Sequence, residues 1–443
     1  MPIWLEALTT ALVATALCAV ALRRGIPMNP DGWAYWEGAY GLARGDGYVY
    51  GGGAPIEAFP PTFSWILAVA AAWTNGFSGL SLVVVALATT FVAAFGWALF
   101  VARAHARIAA PLVDDRDPPV DVSGHDLVAG IRPSWWSRAP LHAFLAAVLP
   151  LWNADLRAEQ FTRCIVPFLA LALLQARGSA EMSGARSAGP EAAHAHDRTI
   201  ALALTVLLAI GVLVKHSFLA WLPAVVVAAH VCGMSRRRTL VVALAPLGVW
   251  WSLRLLMDQG GSHEIQAPQL ASFVTRIQEI YVGVGKSIGI EHLGPLLLLG
   301  ACIWGLQSRA RQLVSTALVA TIVQLTTLAM LTSMTRIADP LHARFVGSSV
   351  IWLSLACALA LLDDAERRPQ RARWLVHGVT LLLFVVPVVK SVRNSVRGYG
   401  PRSERYGPEE SFVHLERALF EGTPPLKPPD YPWIRRSSEQ RPR

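Results

Sequence analysis

The sequence contains little charge. Of its 443 residues, 16% are Asp, Glu, Lys or Arg, whereas 53% are hydrophobic. Soluble domains carry about 25% charged residues, so the composition excludes an ordinary water-soluble protein. The apolar residues fall into blocks of near-membrane length: Leu8 to Leu22, Leu82 to Ala102, Thr199 to Val214, Val314 to Leu331 and Leu375 to Val389. These blocks predict membrane-spanning helices, because a helix satisfies its own backbone groups in lipid.

Cysteine is scarce, and none is spaced for a metal site. The five cysteines lie in or beside apolar blocks, without a CxxC motif or a Cys/His pair at metal-ligand spacing. We therefore interpret them as packing residues. A secretory signal is also lacking, because Met1 to Leu22 has neither a basic n-region nor a small-residue cleavage site. This segment is predicted to be an uncleaved first span.

The net charge of +9 comes from basic residues clustered between apolar blocks. Such clusters set membrane topology and mark the cytoplasmic side, so nucleic acid is not expected as a partner. The basic segments are Arg103 to Arg138, Arg177 to Arg198, Arg236 to Arg238, Arg309 to Arg311 and Arg367 to Arg373. All five are cytoplasmic if the chain crosses about eleven times, with its N-terminus inside and its C-terminus outside. The two longest are predicted to be flexible loops.

This topology requires that Thr62 to Trp73 does not cross the membrane. The segment is apolar but short, as expected of a re-entrant or interfacial helix. The predicted fold is thus an all-α, polytopic transmembrane helical bundle of about eleven spans plus this helix. Residues 1–390 form the transmembrane domain and residues 391–443 an extramembrane tail, with one amphipathic helix predicted at Glu409 to Phe420.

The first outer segment, Arg23 to Pro61, holds candidate acids among many aromatic residues. Asp31 and Glu37 lie in NPDGWAYWEGAY, followed by Asp46 and Glu57. A carboxylate at a membrane surface can act as a general base for an acceptor hydroxyl or amine, and aromatic rings pack on sugars or form an interfacial belt. An ordinary solvated loop with belt aromatics is the alternative interpretation.

Two further outer regions carry candidate side chains. Asp155 and Glu159 are four residues apart, so on a helix they would share one face. They could position an acceptor or bind a divalent cation, or simply complement a helix dipole. The candidate phosphate ligands are Lys215, His216, Arg336, His342 and Arg344, because cations at an outer interface call for an anionic partner. An ion pair between an arginine and Asp339 is the alternative.

The order of these features resembles the GT-C superfamily of membrane glycosyltransferases, which includes protein mannosyltransferases, the aminoarabinose transferase of lipid A and oligosaccharyltransferases. The resemblance rests on the early Asp31 in NPDGWAYW, the turn with Gly45, Gly47 and Tyr48, the Pro60-Pro61 pair, LWNADLRAEQ, the VLVKHSF junction and the late RIADPLHAR segment. It covers residues 1 to about 390. Lys215-His216 stands where many members carry Arg, and Asp155 and Glu159 are more widely spaced than the family's acidic pair.

The resemblance implies an inverting glycosyltransferase with a polyprenyl-phosphate or polyprenyl-diphosphate sugar as donor. Asp31 would be the base, and the acceptor would be a glycan, lipid or protein at the outer face of a bacterial inner membrane. No organic cofactor is expected, and a divalent cation is left open. Two other functions stay open: a lipid or solute transporter, which would place ionisable groups near the midplane, and a non-catalytic assembly subunit, in which Asp31 could be replaced without effect.

Overall fold

The computed structural model describes residues 2–22, 26–27, 30–50, 53, 55–56, 59–74, 76–77, 79–109, 135–153, 159–184, 190–256, 270–288, 293–334, 343–367, 378, 384–393 and 412–413. Within these residues the regular secondary structure is helical apart from two short strands and one isolated bridge, and turns connect the helices. The first helices are α1 (Ile3–Leu22), α2 (Pro30–Arg44), α3 (Thr62–Trp73), α4 (Gly79–Ala109), α5 (Trp135–Asn153), α6 (Glu159–Gly184) and α7 (Pro190–Val214). After a 3-10 helix, His216–Ala220, come α8 (Trp221–Val231), α9 (Arg236–Leu256), α10 (Leu270–Ile288), α11 (Gly294–Gln307), α12 (Arg311–Ser333) and α13 (Ala343–Arg367).

The structure contains helices that could span a membrane by their length and composition, as the apolar blocks predict. Among the described residues, five helices are long and apolar enough to cross: α1, α4, α7, α12 and α13. Four shorter apolar segments accompany them, at Thr62–Trp73, Gln160–Ala176, His216–Val231 and Gly294–Gln307. The predicted fold class, an all-α polytopic bundle, is therefore confirmed. Of the predicted span at residues 374 to 390, the helical residues 384 to 393 and residue 378 are described.

Helices α1 and α4 run antiparallel. Cys18, near the end of α1, accepts a hydrogen bond from Thr90, in the first half of α4, over 3.4 Å. At their other ends, Glu6 and His105 both lie within hydrogen-bonding distance of Arg138. The chain between α1 and α4 therefore leaves and returns at the same end of the bundle. As predicted, α3 does not join the two ends, and its twelve residues span only about 18 Å.

The described parts of the basic segments meet at one end of the bundle. There, Arg107 donates to the carbonyl of Leu174, and Arg238 forms an ion pair with Asp197. Cys232 and Thr316 bring the start of α9 beside the start of α12. We call this the basic end. The opposite end holds the end of α1, the starts of α4, α6 and α13, and the α7–α8 junction.

Several sequence-based boundaries are wrong. Residues 30 to 44, predicted to be part of a loop, form α2. The segment Arg177 to Arg198, predicted to be flexible, is helical over most of its length, because α6 continues to Gly184 and α7 starts at Pro190. Helix α10 was not predicted. Of the amphipathic helix predicted at Glu409 to Phe420, only Phe412–Val413 is described, and these two residues form a strand that pairs antiparallel with Ile26–Pro27.

Candidate functional site

Asp31 lies in the first turn of α2, and its side chain is half-buried. The helix N-terminus carries a partial positive charge that stabilises a carboxylate at this position. Two tryptophans, Trp33 and Trp36, are each only 2% exposed and pack with Leu22 of α1 and Leu82 of α4. The buried face of α2 thus fixes Asp31 at the opposite end of the bundle.

A tight turn holds α2 against α3. Ser64 donates a 2.7 Å hydrogen bond to the carbonyl oxygen of Tyr35. The turn after α2 contains Gly45 and Gly47, both at positive φ, a conformation that glycine adopts without strain. Gly41 faces this turn so closely that an added Cβ would lie 2.7 Å from the Gly47 carbonyl oxygen. The predicted glycine turn therefore helps to fix the position of α2, the helix that carries Asp31.

Most aromatic residues of this segment are buried, which corrects their interpretation as an interfacial belt or a sugar-packing surface. Trp33, Tyr35 and Trp36 are buried, whereas Tyr40 is 37% exposed. Burial also raises the pKa of Tyr48 above its usual value, because the phenolate would lose its hydration. Glu37 is buried as well. The buried aromatic residues pack α2 against α1, α3 and α4.

Lys215 and His216 occupy the junction between α7 and the 3-10 helix. The turn is possible because Gly211 leaves room for the ring of Phe218, whose Cδ1 would lie 2.1 Å from an added Cβ. Lys215 is half-buried, and its ammonium nitrogen lies 5.7 Å from the centroid of Phe345 at the start of α13. Such a contact stabilises a cation near an aromatic ring.

His216 is oriented by a tryptophan. Trp250 Nε1 donates a 3.1 Å hydrogen bond to His216 Nδ1, and an indole nitrogen is a donor only. In the neutral imidazole, the proton is therefore on Nε2. The guanidinium of Arg254 lies 5.2 Å from the Trp250 ring centroid. Lys215, the neutral His216 and Arg254 thus form a group that carries two cations and is lined by aromatic rings, which we call the cationic cluster.

Packed neighbours connect this cluster to Asp31. Val214, the residue before Lys215, belongs to the buried group that includes Trp33 of α2. Phe161, two residues after the start of α6, contacts the ring of Phe63 on α3 at a centroid distance of 5.8 Å. The structure therefore brings α2, the start of α6 and the end of α7 to the same end of the bundle.

The remaining predicted residues are described only in part. Glu159 and Arg344 are described as backbone, at the starts of α6 and α13. Asp155, Arg336 and His342 lie outside the described residues, as does Glu57. Among the residues that the structure describes, no group of three or more His, Cys, Asp or Glu side chains is arranged to hold a metal ion.

The sequence analysis missed three residues at the end of the bundle opposite the basic end. Trp250 and Arg254 lie on α9, far from His216 in sequence, and their four-residue spacing is the local signal that places them on one helix face. Arg163 lies one turn into α6 and is 6% exposed. Burying an arginine in an apolar helix costs free energy, so such a residue is a candidate for a functional role.

No profile of a known protein family matches this sequence, and no curated protein is significantly similar to it. Two solved structures share its fold. ArnT from Cupriavidus metallidurans, in the apo state, matches with a TM-score of 0.50 and 14% identity over 83% of this chain. The archaeal oligosaccharyltransferase AglB from Archaeoglobus fulgidus, in complex with an inhibitory peptide and a dolichol-phosphate, matches with a TM-score of 0.50 and 11% identity over 96% of this chain.

The chain shares its fold with these two membrane proteins. It covers 61% of the length of each of these two proteins. At this level of identity, the likeness shows a shared fold, and the chemistry has to be argued from the residues themselves.

Proposed function

We propose that this chain is a membrane glycosyltransferase that transfers a sugar from a polyprenyl-phosphate or polyprenyl-diphosphate donor. The catalytic unit is residues 1–390, and the acceptor is a glycan, lipid or protein. The observation that carries the proposal is a half-buried carboxylate, Asp31, at the same end of a GT-C-like bundle as the cationic cluster. A base and an anion-binding group on one side of the membrane are what transfer from a lipid phosphate requires.

The orientation follows from charge. The arginines of the basic end belong on the cytoplasmic side by the positive-inside rule. Asp31, Lys215 and His216 then face the periplasm or cell exterior of a bacterial inner membrane. A lipid-linked sugar presented at the outer leaflet would place its phosphate near the interface, at the level of the helix ends that carry these residues.

The roles divide by charge. Asp31 is the base that takes the proton from the acceptor, and Lys215, His216, Arg336, His342 and Arg344 are the candidate ligands of the donor phosphate. Glu37, Asp155 and Glu159 are candidates to position the acceptor or a divalent cation. Inversion requires the acceptor to attack the anomeric carbon from the face opposite the phosphate, so the base and the cations flank the sugar.

The experiment compares Asp31→Asn with Asp46→Asn in proteoliposomes. Each is supplied with a panel of radiolabelled polyprenyl-phosphate sugars and with membranes from cells that lack this chain, and loss of label from the donor lipid is measured. Asp31→Asn should lower the rate by about a hundred- to ten-thousand-fold. Asp46 is exposed and pairs only with Arg44 across 3.3 Å among the described residues, so Asp46→Asn should stay near wild type.

Two results would count against the proposal. Wild-type rates in Asp31→Asn, at equal membrane abundance, would remove Asp31 as base and favour a non-catalytic subunit. Movement of the labelled lipid across the bilayer without cleavage would favour a transporter. The described buried ionisable residues give the transporter little support, since Glu6 and Arg138 each lie at the fourth position of their helix instead of the midplane.

A further inference from the structure

Two short turns are neighbours at the basic end of the bundle. One joins α8 to α9 over residues 232–235, and the other joins α11 to α12 over residues 308–310. The Cys232 sulfur lies 3.8 Å from the Thr316 hydroxyl oxygen, so the end of α8 contacts the first part of α12. Thr316 is five residues into α12, which is only about 8 Å along the helix from the second turn.

Backbone hydrogen bonds fix the shape of both turns. In the first turn, the Met234 amide donates to the Ala229 carbonyl oxygen over 3.0 Å, and Gly233 has a φ of +87°, as in a glycine-capped helix end. In the second turn, the Ala310 amide donates to the Ser308 hydroxyl oxygen over 3.1 Å. Both Met234 and Ala310 are buried. The residues on these turns are therefore held at defined positions.

Each turn presents two exposed arginines. Arg236 and Arg237 are the first two residues of α9, Arg309 lies in the second turn, and Arg311 is the first residue of α12. Within the part of the chain that the structure describes, none of these four guanidinium groups takes part in an ion pair or a side-chain hydrogen bond. We call these four residues the arginine turns.

The nearby acids have partners of their own. The carboxylate of Asp197 pairs with Arg238, the residue that follows the first arginine turn. On the other side, the Asp364 carboxylate accepts a 2.8 Å hydrogen bond from Trp304 of α11. The positive-inside rule requires only that cations lie on this side of the membrane. Four of them on two neighbouring turns make a concentrated positive surface, which attracts an anion.

Apolar side chains are exposed within two helical turns of both arginine turns. On α9 these are Leu240, Val241 and Leu244, which follow Arg237 by three, four and seven residues and so lie on the same side of the helix. On α11 they are Ile303 and Leu306, just before the second turn. Each of the five is more than a third exposed. In a membrane protein such side chains contact acyl chains, so a ligand with an anionic head and apolar chains fits this surface.

We propose that the arginine turns bind the headgroup of an anionic phospholipid from the cytoplasmic leaflet. The positive-inside rule places the basic end on that side. Guanidinium groups from both turns donate to the phosphate oxygens, for which arginine has the matching paired geometry. The acyl chains lie against the exposed apolar side chains of α9 and α11. This inference does not depend on the proposed glycosyl transfer.

The test measures lipid binding to the full-length protein in detergent by native mass spectrometry. The protein is titrated with phosphatidylglycerol, with phosphatidylcholine of the same acyl chains, and with phosphatidylglycerol in the presence of soluble glycerol phosphate. Arg237→Gln and Arg309→Gln each remove one cation, one from each turn. Arg44→Gln is the matched control, because Arg44 is an exposed arginine in the turn region after α2, at the opposite end of the bundle.

Phosphatidylglycerol should bind more tightly than phosphatidylcholine. Arg237→Gln and Arg309→Gln should each weaken the binding of phosphatidylglycerol by about five-fold, the typical contribution of one arginine to the binding of anionic lipid. Arg44→Gln should bind this lipid as the wild type does.

Three results would overturn the inference. Equal binding of the two lipids would show that the headgroup charge is not recognised. An equal loss of binding in Arg44→Gln would show that the lipid responds to overall charge and not to the arginine turns. Displacement of phosphatidylglycerol by an equimolar amount of glycerol phosphate would show that the ligand is a soluble anion instead of a lipid.

Discussion

The guanidinium of Arg138 on α5 lies 2.6 Å from the carboxylate of Glu6 on α1, and both side chains are almost fully buried. The second carboxylate oxygen lies 3.5 Å from His142 Nε2, whose other ring nitrogen is 2.9 Å from the Thr10 hydroxyl. An acid and a base thus meet inside the basic end, where α1, α4 and α5 pack together.

Glu6→Gln should destabilise the protein by about 3 to 5 kcal/mol, because it leaves the Arg138 charge buried without its counter-ion. The double variant Glu6→Met, Arg138→Met should recover most of this loss, since replacing both charges by apolar side chains is often close to neutral. Unfolding in mixed detergent micelles measures both. If the double variant is no more stable than Glu6→Gln, the contacts among Glu6, Arg138, His142 and Thr10 stabilise the protein by more than the pairing of two charges.

Gly38→Ala should destabilise α2. An added Cβ would come within 2.3 Å of Tyr48 Cε2, a buried ring that cannot retreat. Overpacking of this kind costs about 1 to 3 kcal/mol, and transfer activity should fall with it because Asp31 stands on the same helix. Gly300→Ala is the control, since a Cβ there meets nothing within 4 Å. Equal unfolding midpoints in the two variants would show that Tyr48 and its turn can move to make room for the added methyl group.

Trp250→Phe should weaken donor binding by about five-fold, the equivalent of one lost hydrogen bond of about 1 kcal/mol. The phenyl ring keeps a surface for Arg254 but cannot donate to His216. Trp251→Phe is the matched control, because Trp251 is 59% exposed. The measurement is the KM for the polyprenyl-phosphate sugar. A change in kcat alone would indicate that His216 acts after binding.

Asp46→Cys and Arg309→Cys should be labelled from different sides of the membrane. Both positions are exposed, Asp46 in the turn after α2 and Arg309 at the basic end, and the native cysteines are buried. In intact cells an impermeant maleimide should reach position 46 only, and position 309 only after permeabilisation. The reverse pattern would invert the proposed orientation.

Much of the bundle could be predicted from the sequence because lipid imposes one simple rule. An apolar block of sufficient length must be a helix in lipid. The basic segments lie on one side only if the number of crossings is right, and this count predicts that α3 does not cross between α1 and α4. Lys215-His216 was also placed correctly at a helix junction. These features depend on composition along the chain and not on contacts across it.

The elements that were missed depend on partners distant in sequence. Helix α2 looks like a polar, aromatic loop because its Trp33 and Trp36 find their apolar environment on α1 and α4. Helix α10 is too polar to appear as an apolar block, and it packs against α12 and α13, which are distant in sequence. Trp250 gained its role from His216, 34 residues earlier, which no local pattern reveals.

Val214, at the end of α7, is buried in the same cluster as Trp33 of α2, and this has a consequence for biosynthesis. The ribosome makes α1 to α4 before α7. Until α7 has been made, the cluster that contains Trp33 and Trp36 of α2 lacks Val214, so its burial is incomplete. Lys215 follows Val214 in the sequence. The segment that completes the buried cluster around α2 therefore also brings the first residue of the cationic cluster to the same end of the bundle.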